Sequence, residues 1–433
     1  MKRVLLYILV ILTVFSACRK DADPVFDMSP DERINKTLGE YQTALAGAAY
    51  GWNAELTTAN GSVYHFHFGF NDANRVQMFA DIDTTSAVVR KESSFRLKAL
   101  QQPALIFDTY SYIHILADPD GNVNGGLDGI GLQSDFEFSL DTLTADSIHL
   151  TGRFNGSSMV LSKATQQQEQ EWVSGQWKRG MLFEYTSRYI LNYFKRLAIG
   201  GKQYEIQVNP ASRTVVFTWI DDGGITRQHT TPYYFTSGGV VFTDPLTDGG
   251  TTISAIADIN WDATASVFRV DVNGATAGTI QGATAPVKPD LNAPTRWWQY
   301  QASRGSYWIS PGGFHVDGVD DAYNLRGLPD FYFLLFWPDY DPGIDLAGFV
   351  FLQGSGATLR FGAGIQPSFT TNGKIVFTYI GDLGTIEPEE EEAYVRTALK
   401  FIDADGFYLV QTGETTYDMV SAKDAKTWIS WFN

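Results

Sequence analysis

Hydrophobic positions change their period along this chain, and those changes divide it. Ser29-Pro30-Asp31-Glu32 has the chemistry of a helix start: Ser29 as N-cap, Pro30 in the first turn, Glu32 closing a capping box. Ile34, Leu38, Tyr41 and Leu45 follow at three- and four-residue steps, one buried helical stripe that Gly47 and Gly51 bring to an end. From Trp52 to about residue 164 the period becomes two. Residues 52–56, 63–70, 75–80, 94–99, 106–116, 135–140, 147–153 and 158–163 alternate, with Gly, Asn, Asp and Pro between them. About eight short strands at that spacing predict an antiparallel sandwich or barrel. Helical spacing returns over residues 166–197, where Val173, Trp177, Met181, Tyr185 and Tyr189 stand four apart, weakened early by Gly175 and Gly180.

A second β-rich stretch is predicted from Tyr204 to Thr279, including residues 213–220, 239–242 and 267–272. Residues 282–289, with Pro286 and Pro289, read as a connector because proline removes ladder donors. Strands resume after Trp297 and run to Tyr379; a helix is predicted over 389–402 and two strands over 406–412 and 416–422. The ends of the two halves look alike. Ile148-His149-Leu150-Thr151-Gly152, a turn, then Met159-Val160-Leu161-Ser162 is similar to Tyr408-Leu409-Val410-Gln411-Thr412-Gly413, a turn, then Met419-Val420-Ser421. A Trp follows each, at 172 and 428. The expected fold is mainly β with a few helices, built from antiparallel sandwich or barrel-like domains that a duplication would explain. Its divisions fall at 29–165, a helical connector over 166–200, and a β-rich region over 201–433.

Composition sharpens this picture. The 433 residues carry 32 Lys+Arg against 49 Asp+Glu, a net charge of −17, which argues against a nucleic-acid partner because phosphate contacts need clustered cations. Aromatics at 14% exclude a disordered chain. The single cysteine excludes an internal disulfide and a Cys-based zinc cage. That cysteine is placed tellingly. Lys2 and Arg3 precede an apolar run over residues 4–15, shorter than the about 20 residues a bilayer span needs. Phe15-Ser16-Ala17-Cys18 then resembles the lipobox of bacterial lipoproteins. The resemblance implies removal of residues 1–17 and a lipid on Cys18, with residues 18–28 as tether; the alternative is a plain secretory signal with an incidental cysteine. Acyl chains contributing about 0.8 kcal/mol per buried methylene would hold the domain at a membrane. Arg19-Lys20-Asp21-Ala22-Asp23 resembles the acidic tag that exports some Bacteroidetes lipoproteins to the cell surface.

Three groups of residues could carry chemistry. His65 and His67, two apart on a strand, face one side and could supply two zinc ligands, the third coming from His114, His149 or a carboxylate; the alternative is an aromatic strand with both rings on its wetter face. Asp118, Asp120, Asn122, Asn124 and Asp128 space oxygens through a glycine-rich loop and resemble the start of a calcium-binding EF-hand loop. Val123 and Gly129 then replace the Gly and Glu which that pattern requires, so a solvated turn stands as the alternative. The turn from Asp339 through Asp341 to Asp345 is a weaker version. Trp297, Trp298, Tyr300 and Trp308, with Trp337 and Tyr340, place flat rings beside amides and carboxylates, as sugar-binding sites do; core packing is the alternative. No GxSxG or P-loop is present, and in so acidic a chain no carboxylate pair stands out as a glycosidase dyad.

Several stretches together resemble a known family. They are Ser29-Pro30-Asp31-Glu32-Arg33 with Tyr41 and Gly51-Trp52, then Lys91-Glu92-Ser93-Ser94-Phe95-Arg96-Leu97-Lys98-Ala99-Leu100. Pro103-Ala104-Leu105-Ile106-Phe107-Asp108-Thr109-Tyr110, the loop over 118–126 and Asp135-Phe136-Glu137-Phe138 complete the set. The family is a Bacteroidetes lipoprotein family catalogued as a domain of unknown function, and the likeness covers the mature chain, densest over 29–165. It implies a setting beside SusC/SusD-like outer-membrane uptake systems and assigns no catalytic residue. The expectation is an outward-facing, lipid-anchored, non-enzymatic accessory that binds a glycan, a peptide or a partner of that complex. A surface hydrolase with a carboxylate or His-metal site is the alternative.

Overall fold

The computed structural model describes residues 28–354 and 356–433; Cys18 and the leader lie outside them. The first described element is the helix Pro30–Ala46. The Ser29 hydroxyl accepts from the Glu32 amide (3.2 Å), and the Glu32 carboxylate accepts from the Ser29 amide (2.9 Å), the reciprocal box expected from the sequence. Tyr41 and Leu45 are buried, and the Leu45 carbonyl takes the indole N–H of Trp52 at 3.0 Å, tying the helix to the first strand.

Alternation then builds three antiparallel sheets in succession. The first is a closed barrel of eight strands in sequence order, from Trp52–Thr57 to Ser158–Lys163, those two closing it with Trp52 opposite Lys163. Its strand Val63–Phe70 shows the physics plainly: Tyr64, Phe66, Phe68 and Phe70 point inward and are buried, so His65 and His67 point outward. Rings from Phe66, Phe68, Phe107 and Phe138 fill the interior, as expected for a barrel of this size. A ligand must therefore bind at the ends or seams rather than in a lumen.

The second barrel also has eight strands, from Phe194–Ile199 to Thr276–Ala283. Its first strand departs from the helix expected to reach residue 197. The helical run is broken into Gln166–Val173, Gln176–Gly180 and a tight turn helix, Met181–Arg188. Beyond it, the Gly200-Gly201 turn folds Phe194–Ile199 back onto Lys202–Asn209, with Ile199 opposite Lys202, and long-range pairing overrides the local period. Gly282 and Ala283, expected in a connector, still pair with Lys195 and Phe194.

The third sheet has nine strands, from Trp308–Ser310 to Thr427–Phe432. Its first strand also meets its last through Ile309 and Phe432, so the sheet curls back on itself. The likeness between the two chain ends belongs to two hairpins in different settings. Trp172 is buried on a helix, whereas Trp428 lies on a strand and stacks on His315 at 3.8 Å. Tyr193 joins the second and third bodies, its hydroxyl donating to Asp418 (2.7 Å) and its amide to the Ala425 carbonyl (2.6 Å). Among the described residues no helix is long and apolar enough to cross a membrane.

Candidate functional site

The seam between the first two barrels is organised by one arginine. In the turn after Lys202–Asn209, the Asn209 side-chain oxygen accepts from the amides of Ala211 (3.1 Å) and Ser212 (3.3 Å). Arg213 follows with φ 47°, a left-handed backbone that throws its side chain across to the first barrel. There the guanidinium donates to the Val63 carbonyl (2.7 Å), to the Asp81 carbonyl and to the Asp81 carboxylate (3.4 Å), and it lies 3.8 Å over the Tyr64 ring. The other Asp81 oxygen meets His65 Nδ1 at 3.2 Å, and Tyr233 donates to Glu184 at 2.6 Å beside the same centre. Burial alone would lower the Arg213 pKa, but Asp81, Tyr64 and Glu184 outweigh it and the net shift is upward. Burial pushes the Glu184 carboxyl up, opposed by Arg213 and by the Tyr233 hydroxyl.

Beside this knot opens a cleft of ≈ 450 Å³. One wall is the Asn60–Val63 turn, another the Gly125–Gln133 loop, and the third the Ala211–Thr214 turn. Apart from Arg213 its side chains are uncharged: Asn60, Ser62, Gln133, Ser212 and Thr214 offer amides and hydroxyls, while Leu127 and Ile130 offer apolar surface. Gly131 is required where it stands, since φ is 61° and a Cβ would lie 2.4 Å from the Asp118 carbonyl oxygen.

The acidic loop supplies the cleft's wall, and its candidate ligand oxygens are engaged by hydrogen bonds of the loop itself and of Tyr110 instead of converging on one point. Asp118 accepts from the Tyr110 hydroxyl (2.5 Å) and the Asp120 amide (3.0 Å), Asp120 from the Asn122 amide (2.9 Å), and Asp128 from the Gly121 amide (2.9 Å). Asn124 directs its NH₂ to the carbonyls of Ile115 and Asp118, both at 2.8 Å, so it presents donors where a cation would need oxygen. Desolvation, then the bond to Asp118, pushes the Tyr110 hydroxyl up to about 12. Among the described residues no three His, Cys, Asp or Glu side chains converge on a point that could hold a metal.

His65 and His67 do share a face, as their spacing requires, but they serve different partners. His65 pairs with Asp81 and packs against Trp177 (5.3 Å) and Tyr234 (5.7 Å); His67 meets the Tyr50 carbonyl at 2.9 Å, and burial lowers its pKa. His114 caps its own turn, accepting from the Ser111 amide at 3.1 Å, and His149 is exposed on another strand. The metal reading therefore fails on geometry.

The tryptophans divide as well. The helix Ala293–Ala302, in a place where strands were expected only after Trp297, turns Trp297 fully into the core, against Trp308 (6.0 Å), Phe336 (4.5 Å) and Trp431 (6.2 Å). Tyr300 stacks on Trp308 at 5.2 Å and is covered by Arg304 at 3.8 Å. Trp298 donates to Asp345 (2.8 Å), which also accepts from the Asp339 amide (2.8 Å) and which burial pushes up to about 6. On the strand Phe331–Asp341, Trp337 and Tyr340 meet edge to face at 5.4 Å, and Trp337 packs on a small cluster of Leu335, Leu346 and Val350 separate from the main core. The set does not form one platform: Trp297 and Trp308 are core, and the others are split between a helix surface and the outer sheet face.

Residues 22–263 match a family described as Domain of unknown function (DUF4302). The chain belongs to this family. The DUF4302 match ends just beyond the strand Thr251–Asp262, so it takes in the first barrel, Arg213, Asp81 and the whole cleft, and stops before the third sheet. No curated protein matches the sequence. Among solved structures, the crystal structure of the isotype 1 transferrin binding protein B from serogroup B Neisseria meningitidis is similar at 7% identity and a TM-score of 0.17. The match covers 86% of this chain, which spans 64% of that one.

Sequence reasoning missed Arg213, Asp81 and the cleft. Residues 213–220 were expected as a strand, but nothing local says that Arg213 reaches Asp81, 132 positions earlier.

Proposed function

We propose that this DUF4302 protein is a non-enzymatic binding protein, anchored through Cys18 and facing outward, that serves a SusC/SusD-like uptake system. Its ligand enters the cleft between the first two barrels. The observation that carries this reading is the cleft itself: uncharged amides, hydroxyls and apolar side chains around a seam locked by a buried ion pair. Such a lining suits a short neutral glycan or peptide, which needs orienting hydrogen bonds and one apolar wall. The histidines near the seam are committed to carboxylate and carbonyl partners, which supports binding over hydrolysis.

Two experiments test it. Calorimetric titration of the full chain with panels of neutral oligosaccharides and uncharged peptides should find one class that binds. Ser212→Trp, which fills the cleft from an exposed turn, should weaken that binding by about tenfold or more. Binding by neither panel, or binding indifferent to Ser212→Trp, overturns the site. Cys18→Ser should release the protein from the membrane fraction, and affinity capture of the lipidated chain should recover a SusC/SusD-like pair; retention of the variant, or no such pair, overturns the setting.

A further inference from the structure

Close to the cleft, the end of the first barrel carries a feature that neither the core nor the cleft uses. Phe154 is 95% exposed at the tip of the turn between the strands Ser147–Gly152 and Ser158–Lys163. The turn is held firmly. Asp135, buried at 3% exposure, accepts on Oδ1 from the amides of Phe154 (2.7 Å) and Asn155 (2.9 Å), and on Oδ2 from the Ser157 amide (3.1 Å) and hydroxyl (2.7 Å). The Asn155 side chain adds a bond to the Ser134 carbonyl at 2.6 Å. Gly152 makes room for this carboxylate, since a Cβ there would stand 2.0 Å from Asp135 Oδ2. A buried acid thus fixes a turn whose outermost side chain is an aromatic ring in water.

Next to that ring opens a second cleft of ≈ 660 Å³, with Pro119, Ile130 and Phe136 on its apolar side and Phe154 at its lip. Ile130 and Phe136 are themselves largely exposed, at 49% and 39%. Phe136 is braced from behind by His114, stacked at 4.8 Å, and His114 in turn by Tyr110 at 5.5 Å. Scattered exposed hydrophobic residues are ordinary; several braced around one concavity mark an interaction surface. The charge around it has one dominant sign: Asp135 and Glu137 line it against Arg153, and Asp118, Asp120 and Asp128 flank the lining residues Pro119 and Gly129.

We infer that this end of the first barrel docks an extended segment of a partner protein that carries a bulky apolar side chain between lysines or arginines. The apolar side chain fills the cleft against Phe154 and Phe136, and the cations meet the acidic rim. The same rim disfavours a second copy of this chain, because two such faces would set carboxylates against carboxylates. This surface is independent of the seam cleft: Ile130 borders both, but Phe154 borders only the second and Ser212 only the first.

Fluorescence anisotropy on the full chain tests it, using short peptides with a central Phe or Leu flanked either by Lys/Arg or by Glu. The Lys/Arg set should bind about tenfold tighter than the Glu set or better, and Phe154→Ala should cost about tenfold. Binding should weaken severalfold between about 50 and about 300 mM NaCl. Ser212→Trp should leave it unchanged, which separates this surface from the ligand cleft. Phe154→Ala removes no buried contact, so its melting temperature should match the parent. Equal binding of both peptide sets, or binding indifferent to Phe154→Ala, overturns the inference. Sedimentation showing a dimer that Phe154→Ala dissolves also overturns it and assigns the face to a second copy.

Discussion

Lys195 is half-buried, and among the described residues no carboxylate pairs with it: its ammonium donates to the Asn192 carbonyl at 2.9 Å, and burial pushes its pKa down to about 8. The unfolded chain keeps that proton to about 10.5, so between pH 8 and 10.5 the unfolded state binds more protons and wild-type stability rises with pH. At pH 7 the charged form in this desolvated place costs about 3 kcal/mol. Lys195→Met should therefore stabilise the protein at pH 7 by about 1–3 kcal/mol in urea unfolding, and the advantage should shrink across that window. An advantage independent of pH would show that the gain comes from packing instead. Nothing in the local sequence marks this lysine, because its neighbours Tyr193 and Phe194 give the same period in a surface strand as in a buried seam. The capping box at Ser29 and Glu32 was legible for the opposite reason: both partners lie within one helical turn.

At the scale of elements, the helix Ala293–Ala302 shows how one pattern supports two readings. Trp297-Trp298-Gln299-Tyr300 has the composition of a sugar platform, yet Ala293, Trp297 and Gln301 recur four apart and all are buried. The period was present in the sequence; the pull of a tryptophan-rich run obscured it. Trp297→Ala should cost about 3–5 kcal/mol, as removal of a buried indole does, while Trp337→Ala on the outer face should cost well under half of that. Parallel denaturation of the two variants checks this, and equal losses would refute the placing of Trp297 in the core and Trp337 outside it. The strand Phe194–Ile199 is the converse case. Its preceding aromatics had helical spacing, and only pairing with Lys202–Asn209 and Thr276–Ala283 made it a strand.

For the molecule as a whole, the Arg213–Asp81 pair decides whether two barrels behave as one unit. Both side chains are almost fully buried, so removing one partner leaves an uncompensated charge, worth about 3–5 kcal/mol. Arg213→Met should destabilise by that amount and split the calorimetric transition of the first two barrels. Combining it with Asp81→Leu should recover at least half, because an apolar pair restores packing without a buried charge. Failure of the double variant to recover would move the weight of the seam from this pair to the rings around it, Tyr64 and Phe235.

Alternating periods and turn residues along the chain by themselves determined the mainly β architecture, the first helix and seven of the eight strands of the first barrel, the strand expected over 106–116 being Pro103–Phe107 followed by a helical turn at Tyr112–Ile115. Those signals act over a few residues, where backbone geometry couples side-chain direction directly to sequence position. Only the tertiary structure decided how strands beyond residue 190 divide into two further sheets, which tryptophans face the core, and that two clefts lie along the seam and end of the first barrel. Those outcomes rest on contacts such as Arg213 to Asp81 and Asp135 to Ser157, whose partners are brought together by closing a barrel or packing two of them, and no periodicity encodes such a meeting.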